Sequence, residues 1–73
     1  MSKKITIDEV GRRLKKIRGD VKQDQCAQKI GISRSALSHY EQGRARMTID
    51  ILSKFCKSFD VSADYILGLK DEP

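Results

Sequence analysis

Apolar residues recur at spacings of three and four along the chain, and short polar or glycine-containing breaks divide them into five blocks. In the first, Ile7, Val10, Leu14 and Ile17 keep helical spacing and predict a helix over about 7–18. Thr6 followed by Glu9 fits a capping box, Ile5 with Val10 fits the accompanying hydrophobic staple, and Gly19-Asp20 ends the block. In the second, Cys26, Ala27 and Ile30 share one face of a short helix from Gln23 to Ile30, with Gly31 where a C-cap belongs. Ser33 then caps a third helix running through about Gln42, with Leu37 and Tyr40 turned inward and Gly43 after it. Thr48 caps a fourth, in which Ile49, Leu52, Phe55, Cys56 and Phe59 keep the three-to-four spacing. Ser62 caps a final short helix carrying Tyr65, Ile66 and Leu67, closed by Gly68. No segment alternates apolar and polar residues between turn dipeptides, as a strand would. The pattern predicts an all-α fold, a compact bundle of five short helices.

Length and composition narrow this picture. The chain has 73 residues, room for one small domain over 1–73, and residues 1–5 and 70–73 are expected as flexible ends. Hydrophobic residues make up 38% and charged residues 34%, a folded balance and not that of a disordered chain. Apolar runs are only a few residues long and the N-terminus lacks a secretory core, so a cytoplasmic protein without a membrane span is expected. Cys26 and Cys56 belong to no C-x-x-C pair, which removes the spacing of a zinc site. A disulfide is conceivable by count, but a cytosolic setting argues against it, and both are read as buried small hydrophobes. No metal or cofactor is expected. An enzyme is the poorest reading, because there is no Ser/His/Asp set, no metal cluster and no glycine-rich phosphate loop.

Charge changes the picture more. The net charge of +5 is polarised: residues 1–22 carry +5, residues 23–48 carry +2 and residues 49–73 carry −2. Such polarity is the footprint of a face that meets a polyanion. By itself it is weak, since a run such as Arg12-Arg13-x-Lys15-Lys16 is usually a solvated helix face.

The informative stretch is residues 23–43, where two helices are joined by a turn containing glycine, the anatomy of a helix-turn-helix. Ala27 is small enough for close helix approach, Gly31 tolerates a left-handed turn, and Ile32 with Leu37 plugs the corner. Ser33 caps the second helix and leaves Arg34, Ser35, Ser38 and His39 on its outward side.

These residues resemble the Cro and lambda-repressor type of helix-turn-helix, the Xre-like family of phage and bacterial regulators. The resemblance spans about residues 10–69. It rests on the Gln-x-x-x-Ala-x-x-x-Gly centre, the Ile-Ser-Arg-Ser start, the Tyr-Glu-x-Gly end and the closing Val61-Ser62-x-Asp64-Tyr65-Ile66-Leu67-Gly68. It implies that Arg34, Ser35 and His39 read base edges in the major groove, with Ser38 at the margin of that set. It also implies that Gln23 contacts phosphate and braces the recognition helix, that Ser33, Arg44 and Arg46 grip the backbone, and that Arg18 pairs with Glu41 structurally.

The sequence departs from the family pattern at three places. The segment from Arg18 to Gln23 is about two residues shorter than the commoner form. Lys22 stands where a capping Ser or Thr is usual, weakening that cap while adding a phosphate-seeking charge. Met47 replaces a frequent proline, so a less rigid loop follows Gly43. Tyr40 reads as core rather than a stacking platform, and His39 has the alternative of a solvent-exposed side chain without a DNA role. Tyr65, Ile66 and Leu67 either close the core or form the two-fold dimer contact that the matching helix makes in the family.

The function these readings imply is sequence-specific binding of double-stranded DNA by a homodimeric regulator, a repressor on a near-palindromic operator. The alternatives are an antitoxin or protein-partner-binding module on the same fold, and a restriction-modification controller. Seventy-three residues suffice for a DNA-binding domain, and no sensing domain is expected among them.

Overall fold

A computed structural model describes residues 6–70, and it contains α1 (Ile7–Arg18), α2 (Gln23–Ile30), α3 (Arg34–Glu41), α4 (Ile49–Phe59) and α5 (Ala63–Ile66). The all-α expectation holds, with helix boundaries within about a residue. Gln42 and Leu67, expected inside α3 and α5, are instead their C-caps. Of the ends expected at 1–5 and 70–73, residues 1–5 and 71–73, and with them the Ile5 half of the staple, lie outside the described residues.

Local chemistry explains where helices begin. Thr6, Ser33, Thr48 and Ser62 each accept a hydrogen bond from the backbone N–H three residues on, at 3.0–3.2 Å. Each such cap is worth about 1 kcal/mol. α2 is the exception, since Lys22 makes no side-chain cap. Its other end is tightly closed: Gly31 is left-handed (φ 88°, ψ 31°), and the N–H groups of Gly31 and Ile32 both donate to the Ala27 carbonyl, at 2.8 and 3.0 Å. Asp60 ends α4 in a left-handed conformation (φ 53°), tolerated because a short polar side chain is among the few that visit it.

Leu14, Cys26, Ala27, Ile30, Leu37, Phe55 and Ile66 form the buried core. α1 packs on α3 and α5, α2 on α3 and α4, and α4 on α5. Phe55 stacks against Phe59 with ring centroids 5.9 Å apart, and Lys29 Nζ lies 4.8 Å from the Phe59 centroid, closing α2 onto α4. Met47 packs half-buried against the core at the end of the loop after α3. α1 approaches α3 closely at Gly11, where an added Cβ would lie 2.5 Å from the Glu41 carbonyl oxygen and 2.6 Å from that of Tyr40.

Cys26 is fully buried and Cys56 half-buried, neither in a disulfide. Burial pushes both thiols above their ordinary value of 9.0. A thiol held neutral in the fold stabilises it below that value, so stability should fall as pH rises past 9.0 toward the raised folded pKa values. Alkylation at pH 8 followed by intact mass should label Cys56 slowly and Cys26 only after denaturant is added. Equal labelling of both in the native protein would contradict this core.

Candidate nucleic-acid interface

α3 is anchored by one side and open on the other. Leu37 is fully buried, Tyr40 packs half-buried against the core, and Glu41 is buried at 7% exposure. Arg34, Ser35, His39 and Gln42 are exposed and Ser38 is half-buried. Gln23, Arg34, Ser35, Ser38, His39, Gln42 and Arg44 line one shallow hollow. Arg18, Lys22, Gln23, Asp24 and Arg34 line a second. Gln23 and Arg34 belong to both, so the two join into one polar surface from the start of α2 along α3.

The structure therefore gathers Arg34, Ser35, Ser38, His39, Gln23 and Arg44, with Lys22 at the adjoining edge. Ser33 is exposed, but its hydroxyl oxygen is engaged in capping α3, accepting from the Ala36 N–H at 3.0 Å. Arg46 is not brought to this surface. It lines a separate apolar hollow with Ile7, Val10, Met47, Ile49, Leu52 and Leu67.

Three helices meet behind the surface. Arg18 of α1 donates from Nε to Glu41 Oε2 at 2.6 Å and from Nη2 to Oε1 at 3.0 Å, a two-pronged pair. Gln23 Nε2 of α2 donates to the same Oε1 at 3.0 Å, and Arg18 Nη1 also reaches the Val21 carbonyl at 2.8 Å. The hydrogen bond to Glu41 raises the Arg18 pKa above its ordinary value, outweighing burial. Arg18 and Glu41 thus hold one another behind the interface, and Gln23 bridges that pair to the open surface.

Of the three residues considered for a dimer contact, Tyr65 and Ile66 are 4% and 0% exposed. Tyr65 also lies under Arg13, 4.9 Å from its guanidinium carbon. Their side chains fill the core, which leaves Leu67, half-buried, as the open member of the trio. Sequence reasoning missed Gln42. Its signal was available, since it lies four residues after Ser38 and eight after Arg34, on the same outward stripe.

Among the described residues, no cluster of three or more His, Cys, Asp or Glu is placed to hold a metal, and no helix is long and apolar enough to cross a membrane. A short, polar, exposed helix face backed by a fixed scaffold suits insertion into a nucleic-acid groove.

Comparison with known proteins agrees with that class. Residues 12–66 match the helix-turn-helix family HTH_3, and the chain belongs to this family of Xre and Cro/lambda-repressor type bacterial and phage transcriptional regulators. It is 44% identical over 50 residues to the uncharacterized HTH-type transcriptional regulator YobD of Bacillus subtilis, covering 68% of this chain and 45% of that protein. It is 34% identical over 61 residues to the antitoxin PezA of Streptococcus pneumoniae, covering 81% of this chain and 39% of that protein. The P22 c2 repressor, solved in complex with a synthetic operator, superposes with a TM-score of 0.75 at 25% identity, covering 80% of this chain and 91% of that one. The chain spans less than half the length of the two curated relatives.

Proposed function

We propose that this chain is the operator-reading domain of a repressor that binds a near-palindromic site as a homodimer, with α3 in the major groove. The observation that carries this reading is the division of α3: Leu37, Tyr40 and Glu41 fasten it, while Arg34, Ser35, Ser38 and His39 lie along one open face. Arg34 would donate to guanine O6 and N7, and Lys22, Gln23 and Arg44 would meet phosphate. Arg46, outside the hollow, would serve the backbone beyond the loop. Two copies would place their α3 helices about 34 Å apart, one turn of the duplex. Leu67, Leu69 (61% exposed) and Ile49 (85% exposed) supply apolar surface that a second copy could cover. The cytoplasm is the compartment this activity requires.

Selection of bound duplexes from a random pool, followed by binding measured against salt, tests the reading. The expected result is a two-fold symmetric site whose affinity falls steeply with salt. Binding without sequence preference, or without salt dependence, would overturn it. Arg34→Ala should lower discrimination by about 1–3 kcal/mol at one position in each half-site. Arg44→Ala should instead weaken all duplexes alike and reduce the salt slope by about one.

The likeness to PezA favours a second reading, in which a protein partner is the main target and DNA binding is secondary. An antitoxin of this kind would keep its partner after Arg34 and His39 are both replaced by alanine. The repressor would lose its operator.

A further inference from the structure

We propose that Gln42 is a specificity residue of α3 that acts through Ser38, the two side chains forming one reading unit. This deepens the DNA-binding reading above and rests on it. An α-helix advances about 100° per residue, so residues four apart lie nearly in line along its axis. Arg34, Ser38 and Gln42 form one such line on the open face of α3, and Ser35 and His39 form its neighbour. Gln42 is exposed, caps the helix and lines the same hollow as Arg34 and His39. Its Nε2 donates to Ser38 Oγ at 2.8 Å.

That hydrogen bond decides what Ser38 can do. A serine inside a helix ordinarily turns its hydroxyl proton back onto the carbonyl four residues earlier, which here belongs to Arg34. Here Oγ instead takes the Gln42 amide proton along the outer face, which leaves the hydroxyl's own proton available to a group in the groove. The hydroxyl becomes a donor for a base-edge acceptor, purine N7 or thymine O4. The carbonyl oxygen and second amide proton of Gln42 extend the same contact. Ser38 alone is short and half-buried; supported by Gln42 it becomes a directed reader. Gln42 is therefore a positioning residue as well as a contact of its own.

The experiment is selection from the random duplex pool with the wild-type chain, Ser38→Ala, Gln42→Met and the double variant, each checked for an unchanged melting curve. Both positions lie on the open face, and Gln42→Met keeps side-chain length while removing the amide. Each single variant should relax preference at the same operator position by about five- to ten-fold, the low end of a base-specific contact. The double variant should relax it no further than either single one. Losses at different positions, or losses that multiply, would make the two residues independent and overturn the unit. So would an unchanged preference in Gln42→Met. A wild-type chain with no preference would remove the DNA-binding reading itself, whereas a selective wild type with an indifferent Gln42→Met removes only this inference.

Discussion

Replacing Glu41 with alanine should destabilise the fold by about 3 kcal/mol or more, among the largest effects available to a single change in this chain. The Glu41 carboxylate is 3% exposed and accepts three hydrogen bonds, two from Arg18 and one from Gln23. Its removal leaves a guanidinium, itself only 14% exposed, without its two-pronged carboxylate partner. Arg18 keeps its contact to the Val21 carbonyl, which holds the effect near the lower end of the 3–5 kcal/mol range for broken buried pairs. In a domain of this size the melting temperature should fall by more than about 10 °C. A paired replacement, Arg18→Met with Glu41→Met, should recover much of the loss, because it removes both charges and keeps the volume. Thermal unfolding of the single and double variants checks this. A double variant less stable than Glu41→Ala would show that the charges, rather than their pairing, hold the helices.

A valine at Gly11 should cost about 3 kcal/mol, for the opposite reason: too much matter instead of too little. Glycine inside a helix is normally a weakness, and alanine there would gain about 1 kcal/mol in helix propensity. Sterics decide the sign here. The added Cβ would meet the carbonyl oxygens of Glu41 and Tyr40, which are backbone atoms and cannot rotate aside. Even Gly11→Ala should therefore lose stability, by about 1 kcal/mol net once the propensity gain is counted. The β-branched valine adds two methyl groups to the same contact and forces α1 away from α3. Urea unfolding measures the losses, and a more stable Gly11→Ala would mean that the two helices stand further apart than described.

Much of this architecture was legible in the sequence because it is written in local chemistry. Thr6, Ser33, Thr48 and Ser62 cap their own helices within a single turn, so no knowledge of tertiary structure is needed to place them. Gly31 marks its turn for the same reason. What escaped depends on neighbours distant in the chain. Gly11 reads as a flaw in α1 until the carbonyl oxygens of α3 stand against it. The fates of Tyr65, Ile66 and Leu67 differ although all three are apolar and adjacent, because α5 is a single turn and only its contacts with α1 and α4 decide which side is covered. Arg46 lies two residues from Arg44 yet serves a different face, since the loop after Gly43 turns between them. Gln42 was passed over because it reads as the end of a helix. It is that, and also the continuation of the face.

The meeting of Arg18, Gln23 and Glu41 has a consequence for how the domain encounters its target. One carboxylate ties α1, α2 and α3, so α3 cannot tilt without dragging the two helices that frame it. On the proposed function, docking would then be a rigid-body event, since the conformational entropy of fixing α3 is lost when the chain folds, before any groove is near. Only the tips of Arg34, His39 and their neighbours remain to be frozen on contact, at about 0.5–1.5 kcal/mol for each long side chain. Acting as proposed, a preorganised reader of this kind would lose little on leaving a wrong site and would sample many before holding one.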